Sequence, residues 1–295
     1  MTPPSGDKHD YTSLSRYFWP NPATANHLPY VRRDGESNPE IKNISDHDFL
    51  TKMGESVRKL ALGWYVFGDE KYAEHAAKLL RVWFLDPATA MRPNLNYAQF
   101  VPGQYDGRGS GILDAREFVH ALDGAALLEG SKAWSAEDAK ALHAWFAAYY
   151  EWLATSANGK HEKAAPNNHG SWYAAQEATI ARYLGKDADV KKIAEIVKTV
   201  RIPSQFDKDG LQKYELVRTN SFSYSAFNLE ALTELAQVAA ASGVNLYAPE
   251  KPGAPGILTG LDALLPFDPQ HKWTHAQLRA VADGCIAPGN YLKLD

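Results

Sequence analysis

The sequence predicts an all-α fold, an α/α toroid or a helical bundle made of antiparallel helix pairs. Three observations carry that expectation. From residue 46 onward apolar residues recur mostly at helical spacing. Short turns, several marked by glycine, separate the helical runs. No βαβ alternation appears, and only LQKYELV at 211–217 alternates like a strand. There is no repeat of fixed period and no linker, so residues 1–295 read as a single domain.

The first 45 residues are rich in Pro, Asn, Asp and aromatics, which is loop chemistry. Stretches such as YFWP are too apolar for a disordered tail, so this segment reads as an ordered arm over the domain. DHDFLTKMGESVRKLALGWYVFG places Phe49, Met53, Val57, Leu60, Ala61 and Trp64 at helical spacing. Gly68-Asp69 stops that helix, and KYAEHAAKLLRVWFL forms the next, ending before Pro87. The loop at 86–111 is long for a compact domain, and its Tyr, Phe, Asn and Gln content favours a functional role. Helices follow from about Ile112 to Leu128 and from Ser135, where SAED reads as a capping box, to about Ala154. SWYAAQEATIARYLG and ADVKKIAEIVKTV form a hairpin, and Tyr224 to Ala241 a helix stopped by Gly243. Two shorter helices are expected near 257–265 and 274–284.

Composition excludes several function classes. Net charge is −4 and no Lys/Arg block occurs, so nothing points to nucleic acid. No apolar run approaches a membrane span. The N-terminal MTPPSGDKHDYTSL has no apolar core and reads as neither signal peptide nor anchor. The single cysteine, Cys285, excludes an internal disulfide and a thiolate cluster. HExxH, CxxC, GxSxG and Walker motifs are absent, and no metal site or cofactor is expected. GRGSG at 107–111 lacks a preceding strand and reads as a tight turn. The 8 Trp and 15 Tyr suit either a core or a sugar-lined cleft.

Two short segments carry the chemistry. PNNHGSWYAAQ at 166–176 puts Asn167, Asn168 and His169 at a helix entrance. One asparagine is expected to cap that helix, but capping does not account for both amides beside an imidazole. KYELVRTNSFSYSAFN at 213–228 places Arg218 six residues before Tyr224, with a Ser/Asn turn able to aim both into one cleft.

These groups suit β-elimination of a polyuronate. The C5 proton of a uronate is too weakly acidic while its carboxylate keeps its charge. Asn168, His169 and Arg218 could neutralise that charge by preorganised electrostatics, without metal. Tyr224, its pKa lowered by a nearby cation, could take the proton and return it to the leaving oxygen. In β-D-mannuronate and β-D-glucuronate the C5 hydrogen and the C4 oxygen lie on one side of the ring, so one tyrosine can serve both. In α-L-guluronate they lie on opposite faces, and His169 would have to be the base. A single tyrosine therefore favours mannuronan or glucuronan.

The stretches DYTSLSRYFWPNPATANHLPYVRRDGESNPE, NNHGSWYAAQ and ELVRTNSFSYSAFNLEAL, in that order, resemble the alginate lyase domain superfamily over about residues 10 to 240. The likeness runs to polysaccharide lyase family 38, whose members include alginate and glucuronan lyases. It implies an incomplete (α/α) toroid with a cleft across one end. It also implies that Asn168 and His169 match the family's Asn-His pair, Arg218 its arginine and Tyr224 its tyrosine. In the better-known alginate lyase branch the Arg–Tyr spacing is one residue longer and the tyrosine lies in a His-Asn-Tyr triplet. The FSYS found here departs from that pattern and favours the second branch. An amide of the 94–104 loop could then share the neutralising role or displace Asn168, leaving the latter as a cap.

Candidate substrate-binding residues are Asn96, Tyr97, Gln99, Tyr105 and Arg108 in the long loop, Trp19, Arg32 and Arg33 in the arm, and Asn167, Trp172 and Tyr173 beside the Asn-His pair. Aromatics can stack on sugars and arginines can pair with flanking carboxylates. The expected partner is an acidic polysaccharide, met by a monomer or weak homo-oligomer. Such a substrate implies a periplasmic or secreted protein. Two alternatives stand beside this expectation. A glycoside hydrolase would need two facing carboxylates, with Asp106, Asp114 and Glu117 the nearest candidates. A polyuronate-binding protein would make no new chain ends.

Overall fold

A computed structural model describes residues 3–265. It is predominantly helical, as the sequence predicts. The chain divides into two compact units, residues 1–164 with 179–187, and residues 165–178 with 188–295. The expected helix at 274–284, like Cys285, lies outside the described residues.

In the first unit the N-terminal arm carries β1 (Thr12–Leu14), β2 (Phe18–Trp19) and β3 (Val31–Arg32). Strands β2 and β3 pair antiparallel, Phe18 opposite Arg32. Next come α1 (Asp46–Phe67) and α2 (Glu70–Leu80). Gly68, at φ 68°, closes α1 in the left-handed conformation that glycine adopts without a Cβ penalty. Asp69 caps α2 by accepting from the Lys71 amide. The buried stripe of α1 is Leu50, Met53, Val57 and Ala61. Phe49, expected in that stripe, is exposed instead, because Leu50 fills the inward register one position on.

The long loop is ordered. It contains β4 (Tyr97–Phe100), which pairs parallel with β1, Thr12 opposite Tyr97. The helix expected from Ile112 begins earlier and in two parts, a 3-10 segment at Gly109–Arg116 and then α3 (Glu117–Leu127). Helix α4 (Ala136–Thr155) starts with the predicted capping box of Ser135 and Asp138, and α5 (Ala157–Lys163) follows. The core of this unit is aromatic. Phe118 meets Phe146 and Tyr149 edge-on, and Phe84 meets Trp145 the same way.

Helix α6 (Asn168–Tyr183) begins in the second unit. Gly185, at φ 71°, turns the chain toward α7 (Asp187–Ile196). Then come α8 (Ile202–Gln205), α9 (Lys213–Leu216), α10 (Ser221–Ala240) and α11 (Ile257–Leu264). The strand expected at 211–217 is not formed. Gln212 makes one bridge to Phe206, and Lys213–Leu216 is a helical turn. The Glu215 and Leu216 amides both donate to the Gln212 carbonyl, so the local backbone bonds go to a turn rather than to a ladder.

Buried amides hold the second unit together. Asn228 Nδ2 donates to Gln205 Oε1 at 3.0 Å and to Gln212 Oε1 at 2.7 Å. Gln205 Nε2 donates to the Pro166 carbonyl at 3.0 Å, and Gln212 Nε2 to the Ser225 carbonyl at 2.9 Å. Asn228 lies one helical turn beyond Tyr224 on α10, so these bonds tie that turn of α10 to the entrance of α6.

Candidate active site

The second unit assembles the residues expected to do chemistry. Asn167 is the helix cap: its Oδ1 accepts from the His169 amide at 3.3 Å. Asn168 has a different role and is fully buried. Its backbone N–H donates to Glu215 Oε1 and its Nδ2 to Glu215 Oε2, both at 2.7 Å. An ionised carboxylate only accepts, so the amide nitrogen of Asn168 must face it. Asn168 is therefore neither a cap nor an exposed donor; its backbone N–H and its side-chain amide are both bonded to Glu215.

Glu215 itself is 1% exposed. Burial pushes its carboxyl above the ordinary glutamate value, while the two Asn168 bonds and the charges of Arg218 and His169 pull it back. Arg218 and His169 thus both lie within electrostatic reach of one carboxylate. Arg218 follows α9, its amide donating to the Glu215 carbonyl at 3.0 Å. Its guanidinium carbon lies 3.7 Å from the ring centroid of Tyr224, in the first turn of α10. His169, Arg218 and Tyr224 are all half-buried, so each keeps some exposed surface.

Gly170 explains why the segment reads NHG. A Cβ there would overlap the Ala165 carbonyl and the Arg201 guanidinium, which are bonded to each other at 2.8 Å. Gly170→Ala is expected to lower stability by about 1–3 kcal/mol through overpacking, measured as a lower midpoint in urea denaturation.

Trp172 and Tyr173, expected to touch sugar, are 4% and 1% exposed. Trp172 packs on Phe227 at 5.2 Å between ring centroids. Both follow the helix register inward and serve the core, which corrects the expectation that they stack on substrate.

The remaining candidates lie in the first unit. Gln99 sits at φ 48°, an uncommon conformation for a residue with a side chain. Its Nε2 donates to Asp114 Oδ1 at 2.8 Å, and its Oε1 accepts from Arg108 at 3.1 Å. Arg108 also lies 5.0 Å over the Phe18 ring. Trp19 carries Arg33 at 5.2 Å and donates Nε1 to the Glu36 carbonyl. Arg32 is exposed and pairs with Asp34. Tyr105 is 54% exposed, Tyr97 is half-buried, and Asn96 accepts from Trp152 Nε1 at 3.0 Å.

Two of the three carboxylates that a hydrolase would use are committed elsewhere. Asp114 accepts from Tyr11, Ser13 and Gln99. Glu117 is paired with Arg116 and His120, each at 3.1 Å. Asp106 is exposed. Among the described residues no helix is long and apolar enough to cross a membrane, and no group of three or more His, Cys, Asp and Glu is placed to hold a metal ion.

Sequence reasoning missed Glu215. Its signal was a glutamate three residues before Arg218 in a segment read as a strand, where alternation would have left its partner undefined.

The alginate lyase family model matches residues 1–273. The fold is similar to the crystal structure of an alginate lyase from Bacteroides ovatus, at 37% identity and a TM-score of 0.90, over 95% of this chain and 74% of that one. It is also similar to two structures of alginate lyase A1-III, a His→Ala and a Tyr→Phe variant, each complexed with tetrasaccharide. Both show 16% identity and a TM-score of 0.61, over 86% and 87% of this chain and 64% of the other. No curated protein matched significantly. With its family model spanning nearly the whole sequence and a relative at 37% identity, the chain belongs to the alginate lyase family and is a polysaccharide lyase.

Proposed function

We propose that the protein cleaves a β-1,4-linked polyuronate, glucuronan or mannuronan/alginate, by syn β-elimination, leaving 4,5-unsaturated uronate ends. The observation that carries this reading is the Arg218–Tyr224 stack, in a segment bonded through Glu215 to the α6 entrance that bears His169.

The substrate carboxylate pairs with Arg218 and His169, which lowers the cost of charge building up on it as the C5–H bond breaks. Tyr224 acts as phenolate, a form favoured by a guanidinium against its ring. Its oxygen takes the C5 proton, the C5 electron pair forms the C4–C5 double bond, and the C4–O bond breaks. The same hydroxyl then protonates the departing oxygen, which restores the phenolate. Asn168 supports His169 from behind, and Asn167 caps the helix. In the first unit, Arg108, Arg32 and Arg33 pair with flanking carboxylates. Trp19, Tyr97 and Tyr105 offer ring faces to sugars, and Asn96 and Gln99 offer polar contacts. The enzyme works as a single domain, monomeric or weakly self-associated, in the periplasm or outside the cell, with no cofactor.

The test is ultraviolet absorbance of unsaturated uronate ends with glucuronan, polymannuronate, polyguluronate, hyaluronan and pectate, chelator present. A rise with glucuronan or polymannuronate is expected. A rise with polyguluronate alone would move the base from Tyr224 to His169. Shorter chains without absorbance would indicate hydrolysis, and no change with any polymer would contradict the reading.

A further inference from the structure

The reaction as proposed leaves one buried charge unused. Glu215 is the carboxylate on which the two halves of the site meet: α6 through Asn168, and the α9 turn through its own backbone. A carboxylate spending both oxygens on the main-chain and side-chain N–H groups of one residue fixes that residue's position and its rotamer together. Asn168 immediately precedes His169, and Arg218 lies three residues after Glu215. The imidazole and the guanidinium are thus carried on elements pinned to each other at one point. Arg218 and His169 also both lie within electrostatic reach of Glu215.

We propose that Glu215 is a positioning residue of the reaction, acting through Asn168 to hold His169 in register with Arg218 and Tyr224. The inference rests on the lyase reading above. It adds a residue that touches no substrate and is nonetheless required for the geometry of the chemical step.

The test compares Glu215→Gln, Glu215→Asp, Asn168→Ala and the Glu215→Gln/Asn168→Ala double variant with the parent, on whichever polymer the parent cleaves. Glutamine keeps the size of the side chain but loses one acceptor and the charge. A displacement of about 1 Å at His169 is enough to lower kcat on the order of 10- to 100-fold. KM should stay within about threefold of the parent, since remote sugar contacts are untouched and only the transition-state interaction weakens. Aspartate, which keeps the charge, should retain more kcat than glutamine. The double variant should be no slower than the slower single variant, because both changes act through one contact. Thermal melting establishes that each variant is folded. If Glu215→Gln does not fold, the aspartate variant and its cycle with Asn168→Ala decide the matter.

A folded Glu215→Gln enzyme with parental kcat would overturn the inference while leaving the lyase reading intact. So would losses that add fully in the double variant. A parent that produces no unsaturated ends from any polymer would overturn the reading itself, and this inference with it.

Discussion

Tyr224→Phe is expected to lower kcat on the order of 10²- to 10⁴-fold, the range for loss of a group that transfers protons in the transition state. The change removes one hydroxyl and keeps the ring, so the stack with Arg218 and the first turn of α10 should survive. KM and melting temperature should therefore change little. The measurement is initial-rate absorbance of unsaturated ends, with binding of uncleaved polymer followed separately by calorimetry. Retained binding with lost turnover would match a tyrosine that works on protons rather than on affinity. An active Tyr224→Phe enzyme would remove the proposed mechanism, and attention would pass to His169 as the base.

Arg218→Ala should be nearly as damaging, for a different reason. In the proposed mechanism the guanidinium neutralises the uronate carboxylate and favours the phenolate at once. Removing a preorganised charge of this kind costs about 10²- to 10³-fold in kcat. Arg218→Lys separates the two duties. Lysine keeps a positive charge but lacks the planar fork and the flat face that lies on Tyr224. Its kcat should fall between those of the parent and the alanine variant, and its pH–rate profile should move to higher pH as support for the phenolate weakens. A variant that raises KM with kcat unchanged would mean that Arg218 binds substrate and transition state equally, and so contributes affinity rather than rate.

How much of this was legible before the structure differs by element. Helices α1, α4 and α10 were readable because their apolar faces repeat at helical spacing and their ends carry local signals: Gly68 after α1, the Ser135–Asp138 box before α4, Gly243 after α10. The Asn-Asn-His entrance and the Arg/Tyr segment were readable as residue types suited to one chemistry. Their joining was not, because Glu215 and Asn168 are 47 positions apart and nothing local marks the bond between them. The alternation of 211–217 pointed to a strand, yet among the described residues only the isolated Gln212–Phe206 bridge pairs there. The segment folds as a turn around a buried carboxylate instead.

The sequence by itself determined the helical class, several helix ends and the set of candidate groups, since these depend on periodicity, capping and side-chain chemistry within a few residues. Only the tertiary structure decided which asparagine caps α6 and which is bonded to Glu215, and that Trp172 and Tyr173 face the core. Each of those depends on which atoms from distant parts of the chain share a buried, low-dielectric space. There an unpaired polar group is costly, and its partner is fixed by packing rather than by position along the chain.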